Sequence, residues 1–146
     1  MVFPYTRITK NAQETAEVGD RLADYLKKPL PICLYGDLGS GKTTFIQGLA
    51  KEFGITTRLL SPTFIIVRRY QLRKPFSFFY HIDLYRIESN LALEGLGISE
   101  ILSDASSVIA IEWAEKLGEL IPEKRIDVHF KVLENTNHEI RCKKSY

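Results

Sequence analysis

Cysteine, long apolar runs and an excess of either charge are all scarce in this 146-residue sequence, and each scarcity excludes a class. Two cysteines, Cys33 and Cys142, are too few for a disulfide scaffold, and no cysteine–histidine cluster has zinc spacing. Cys33 sits in an apolar run and reads as a small buried hydrophobe, so a reducing, cytoplasmic location is the default expectation. The longest apolar runs, such as Ile32–Tyr35 and Val108–Ile111, have four residues. A membrane-spanning helix needs roughly 20, and Met1 to Lys10 lacks the apolar core of a secretory signal. Lysine plus arginine total 20 against 18 acids, and a net charge of +2 says almost nothing about partners. With 45% apolar and 26% charged residues, wholesale disorder and fibrous repeats are excluded. No internal repeat or low-complexity segment occurs. The length suits one domain, residues 1–146, around a single core.

What is present follows a regular order. Asn11 to Lys27 carries apolar residues at helical spacing, with Asn11 as N-cap, Glu14 three residues on, and Pro29 and Pro31 ending the helix. Ile32 to Tyr35 reads as a buried strand, Gly36 to Gly41 as a turn, and Lys42 to Phe53 as a helix stopped at Gly54. Ile65–Tyr70 and Ser77–Tyr85 are rich in β-branched and aromatic residues and predict strands. Leu91–Leu102 predicts a glycine-broken helical stretch, Val108–Ile111 a second buried strand, and Trp113–Leu120 a short helix. Arg125–Leu133 and His138–Lys143 flank a turn signal and predict a hairpin. The series predicts an α/β fold: a mixed, mostly parallel sheet flanked by helices, with a C-terminal hairpin.

Residues 36–43 carry the chemistry. Gly36, Asp37, Leu38, Gly39, Ser40, Gly41, Lys42 and Thr43 spell G-x-x-x-x-G-K-[ST], the phosphate-binding P-loop pattern, between a strand and a helix. Glycines let backbone N–H groups turn inward around a phosphate, and the following helix adds its N-terminal dipole. Lys42 can reach the outer phosphates and the Thr43 hydroxyl can coordinate Mg²⁺.

A P-loop holding a magnesium nucleotide needs a carboxylate at the end of a neighbouring strand. Glu112 follows four apolar residues and would emerge at the nucleotide crevice. It can bind Mg²⁺ directly or through water, or act as a base. In His81-Ile82-Asp83-Leu84-Tyr85-Arg86, strand alternation puts His81, Asp83 and Tyr85 on one face. Asp83 would orient water or complete the Mg²⁺ shell, and His81 would tune it or bond a neighbour; a half-buried strand with one polar face is the plainer reading. In Ser61-Pro62-Thr63-Phe64, Thr63 has either a switch-type phosphate contact or ordinary loop hydrogen bonding. No N-K-x-D guanine-reading motif occurs, which favours ATP over GTP.

These motifs, in order Gly36 to Thr44, Ser61 to Phe64, His81 to Arg86 and Glu112-Trp113, resemble those of the bacterial tRNA threonylcarbamoyladenosine biosynthesis ATPases, the TsaE family, formerly YjeE. The resemblance runs from about Thr9 to Phe130, and nothing is carried beyond it. It implies a compact P-loop domain with weak ATPase activity and ATP and Mg²⁺ as cofactors. Its partners would be TsaD and TsaB, which transfer threonylcarbamoyl to adenosine 37 of tRNA, so that tRNA is reached indirectly. By motif position, Thr43 and Glu112 resemble the Mg²⁺ ligands, Lys42 the phosphate clamp, and Asp83 a residue needed for hydrolysis. Thr63 resembles a switch residue, and Thr44 and Trp113 residues at the nucleotide.

Two other classes compete. A small-molecule P-loop kinase would carry a lid and an arginine-rich acceptor site, which Arg68, Arg69 and Arg73 imitate without a lid-like insertion. A non-hydrolysing binding module would show background turnover unchanged by partners. Charge is also segregated. Phe53–Ile82 holds bases interleaved with aromatics and no acid, whereas Asp83–Glu119 is strongly acidic. The basic stretch fits RNA binding, protein docking or a plain strand pair with its arginines in solvent.

Overall fold

The computed structural model describes residues 1–57 and 66–145, so the predicted switch segment with Thr63 lies outside the described residues, as does Arg58. In chain order the strands are β1 (Tyr5–Thr9), β2 (Ile32–Tyr35), β3 (Val67–Gln71), β4 (Phe78–Asp83), β5 (Val108–Glu112), β6 (Arg125–Val132) and β7 (His138–Ser145). They form one sheet in the order β1-β7-β6-β2-β5-β4-β3. β2 lies parallel to both β5 and β6, and β5 parallel to β4. The two ends are antiparallel: β3 on β4, and β6 on β7 on β1. The mixed sheet and the C-terminal hairpin match expectation.

Helices α1 (Ala12–Tyr25) and α2 (Lys42–Glu52) cover one face. Ile32, Leu34, Phe79, Val108 and Val128 point to them and meet Leu22, Phe45 and Leu49. On the other face Cys33, Ile82, Ile109 and Ile111 pack on α3 (Asn90–Gly95), α4 (Ile98–Leu102) and a 3₁₀ helix, Ala114–Leu120. Because β2 and β5 are covered on both sides, their runs are continuously apolar rather than alternating.

α1 and α2 cross closely through a glycine on each. A Cβ on Gly48 would stand 1.9 Å from the Ala16 carbonyl oxygen, and one on Gly19 would stand 2.1 Å from that of Phe45. The α1 N-cap is as expected, Asn11 Oδ1 accepting the Glu14 N–H at 2.9 Å, but the Glu14 carboxylate accepts from Lys10 N–H at 2.8 Å rather than from Asn11. That bond fastens the end of β1 to the helix.

The structure corrects four expectations. β1 was not expected; its Arg7 interrupts the apolar signal but is accommodated by Glu17, 3.3 Å away. β4 stops at Asp83 and is covered on both faces, so His81 is fully buried and Tyr85 stands beyond the strand. The helix after Trp113 is 3₁₀ and kinks at Gly118 (φ 56°, ψ −123°), where the chain leaves helical geometry. α1 ends at Tyr25, capped by Leu26, whose N–H donates to the Leu22 and Ala23 carbonyls, before either proline is reached. Among the described residues no helix is long and apolar enough to cross a membrane.

Candidate nucleotide-binding site

Parallel pairing places the chemistry at one end of the sheet. β2 runs into Gly36, and its neighbours β5 and β4 end at Glu112 and Asp83. Glu112 is the register partner of both Leu34 and Asp83. The two acids therefore sit side by side on adjacent strands, whose backbones lie about 5 Å apart. Glu112 shares the face of Val108 and Ala110, so it meets α2, which carries the P-loop residues Lys42, Thr43 and Thr44.

Glu112 is nearly fully buried and engages both oxygens. Thr43 Oγ1 donates to Oε1 at 3.0 Å, and His81 Nε2 bonds Oε2 at 2.7 Å. His81 Nδ1 has no hydrogen-bond partner among the described residues, and neither do Ser40 Oγ in the loop or Arg68 Nε, opposite His81 on β3. Asp83 Oδ1 accepts the Tyr85 N–H at 3.0 Å, which starts the turn after β4.

Lys42 is buried and folds back over its own loop. Its ammonium donates to the Gly36 and Asp37 carbonyls and lies 4.3 Å from the Trp113 ring centroid. Burial lowers its pKa, while the surrounding carboxylates of Glu112, Glu115, Asp83 and Asp37 pull it back up. Trp113 takes a left-handed backbone (φ 58°), rare for a bulky residue, and this aims the indole at the ammonium. Tyr85 packs on it with centroids 5.1 Å apart. Gly41 also has a left-handed φ of 107°, and a Cβ there would press on His138 and Thr15.

These groups line one cavity of about 760 Å³, the size of a small-molecule site. Its walls include Leu38, Gly39, Gly41, Lys42, Thr43 and Thr44 from the loop and Asp83, Glu112 and Trp113 from the strand ends. Gly36, Asp37 and Ser40 shape the loop from behind: two carbonyls hold Lys42, and the Ser40 carbonyl meets His138 Nδ1 at 2.6 Å. The remaining wall escaped the sequence. Lys10, Asn11 and Ala12 enter from the β1–α1 junction, and Thr136 and His138 from the hairpin. Nothing local marks them, since pairing of β1, β7 and β6 is what brings the end of β1 and the β6–β7 turn beside the loop. Arg86 also lines the cavity, whereas Arg69 and Arg73 stand exposed on the edge hairpin, Arg69 stacked 4.5 Å from the Phe78 ring.

The donor set suits one cation more than others. Among the described residues no group of three or more His, Cys, Asp and Glu could hold a metal alone. The Thr43 hydroxyl at the start of α2 and the Glu112 carboxylate at the end of β5, 3.0 Å apart, instead fit an ion that draws most of its oxygens from phosphate and water, as Mg²⁺ does. The Ser40 hydroxyl in the P-loop adds a further polar group without a partner among the described residues.

Strand order, loop and paired acids define a P-loop NTPase fold. A sequence model described as "Threonylcarbamoyl adenosine biosynthesis protein TsaE" matches residues 9–140. Proteins named tRNA threonylcarbamoyladenosine biosynthesis protein TsaE are similar over most of the chain. That of Borreliella burgdorferi is 45% identical over 72% of this chain and 78% of its own, and that of Treponema pallidum 33% identical over 91% and 96%. The Bacillus subtilis protein is 36% identical over 90% of this chain and 80% of its own. The crystal structure of Bacillus subtilis YdiB superposes with a TM-score of 0.78 at 29% identity, covering 100% of this chain and 88% of that one. The chain belongs to the TsaE family.

Proposed function

We propose that this protein binds Mg-ATP in the cavity, hydrolyses it slowly, and thereby serves threonylcarbamoylation of tRNA adenosine 37 by a cytoplasmic TsaD–TsaB complex, touching tRNA only through those partners. Membership of the family supports this reading over a small-molecule kinase. The observation that carries the ATPase part is Glu112, held between Thr43 and His81 and beside Asp83.

When bound, Mg²⁺ would neutralise phosphate charge and withdraw electron density from the leaving oxygen. Thr43 and Glu112 would hold it, and Lys42 would exchange its loop carbonyls for phosphate oxygens. Loop N–H groups and the α2 N-terminus would bind the inner phosphates. Asp83 would orient the attacking water. The wall from Lys10–Ala12 and Thr136–His138 is left for sugar and base. Trp113 would close over the phosphates, and Thr63 would join them as a switch residue. Steady-state turnover and nucleotide affinity test this directly. Glu112→Ala and Asp83→Ala should lose hydrolysis far more than binding, and wild-type turnover in Glu112→Ala would sink the assignment.

A further inference from the structure

One ammonium outside the cavity ties its two acid-bearing walls together. Lys116, in the 3₁₀ helix that follows Glu112-Trp113, donates from Nζ to the carbonyls of Tyr85 and of Ile87, the latter at 3.0 Å. The same ammonium lies 5.7 Å from the Tyr85 ring centroid. Its backbone N–H donates to the Trp113 carbonyl at 3.0 Å, so the lysine is fixed to the residue after Glu112. The captured carbonyls flank Arg86 in the turn after Asp83. Tyr85, Arg86 and Asp83 all line the cavity, but Lys116 does not.

We propose that Lys116 is a positioning residue. By holding the carbonyls of Tyr85 and Ile87 it sets the 83–87 turn, and so places Asp83, Tyr85 and Arg86 against Glu112 and Trp113. The geometry is cooperative. Leu84 N–H donates to the Glu112 carbonyl at 3.2 Å, extending the β4–β5 pairing by one bond, and Asp83 Oδ1 caps the turn. Past that point the turn is tied to the far wall by the Lys116 bonds and the Tyr85–Trp113 ring contact, alongside the packing of Leu84 and Ile87 in the core shared with Ala114 and Leu117. An ammonium donates several hydrogen bonds at once, and an apolar side chain of equal length donates none. Without Lys116 both carbonyls would turn to water and the turn would sample other positions. Folding would survive, since Lys116 is only half-buried and belongs to neither apolar core.

The hydrolysis arm of this proposal rests on the ATPase reading above, so the test has a second arm that does not. Trp113 is the sole tryptophan. In nucleotide-free protein, acrylamide quenching of Trp113 should rise about twofold in Lys116→Met, because Tyr85 no longer stays over the indole. Lys116→Arg, which can also serve two carbonyls, should restore wild-type quenching, and Lys124→Met, an exposed charge removal, should leave it unchanged. In steady-state hydrolysis Lys116→Met should lower kcat tenfold or more with KM within threefold, and Lys116→Arg should recover most of the rate. Wild-type quenching in Lys116→Met overturns the proposal even if the protein proves not to hydrolyse ATP. So does a kcat loss that matches a loss of folded protein, with the folded fraction turning over normally.

Discussion

The crossing of α1 and α2 gives a prediction whose size follows from the coordinates. In Gly48→Ala the new Cβ would sit 1.9 Å from the Ala16 carbonyl oxygen, 2.6 Å from its carbon and 2.8 Å from its Cα. All three are backbone atoms, so no side chain can step aside. Ordinary contact begins near 3.4 Å, so the helices must part by roughly 1.5 Å. A gap of that size forfeits more than half of the dispersion attraction of atoms facing across it. Overpacking of a tight core costs about 1–3 kcal/mol, and this backbone clash belongs at the upper end. Against it stands a gain of about 1 kcal/mol from replacing glycine by alanine within a helix. The net loss should be about 2 kcal/mol, or about 4–8 °C in Tm for a chain of this size. Gly95→Ala is the matched control, because a Cβ there meets nothing within 4 Å. It should be neutral or stabilise by up to about 1 kcal/mol. Urea denaturation of both variants measures the difference. If Gly48→Ala proves as stable as wild type, the close crossing is not as described.

Two further outcomes follow from single groups. Lys42→Ala removes a charge-assisted phosphate contact worth about 1.5–3 kcal/mol, so nucleotide affinity should fall about 10- to 150-fold, read by titrating Trp113 emission. An affinity within a factor of two of wild type would show that Lys42 does not meet phosphate. Burial pushes the Cys33 and Cys142 thiols up from 9.0 to about 12. At pH 8 each therefore holds about 1,000-fold less thiolate than an unperturbed thiol, and native protein should resist iodoacetamide until it unfolds. Fast labelling of the folded protein would contradict the burial.

What could be read from the sequence was what is written locally. The P-loop pattern, its flanking strand and helix, and Glu112 at the end of an apolar run each occupy a short stretch, and their chemistry depends on spacing along the chain. The Asn11 cap was visible for the same reason. His81 was placed on a polar face because alternation along one strand reports sides, not what covers them; in the fold it is fully buried and anchors Glu112. His138, Thr136 and Lys10 stayed hidden because their place comes from β7 pairing with both β1 and β6. Lys116 escaped because its partners are backbone carbonyls 29 and 31 residues away, which no side-chain pattern encodes. The hydroxyl and carboxylate joined across 69 residues, Thr43 and Glu112, were named together from the sequence, and strand order explains their meeting.

The central claim is that ATP turnover at Glu112 drives the protein's part in tRNA modification. Purified TsaD, TsaB and unmodified tRNA should be assayed for threonylcarbamoyladenosine over many turnovers, with wild-type protein and ATP, without ATP, and with Glu112→Gln. The account predicts sustained modification with wild type and ATP, and a stall without ATP or with Glu112→Gln while that variant still binds nucleotide. Equal modification in all three reactions would contradict it.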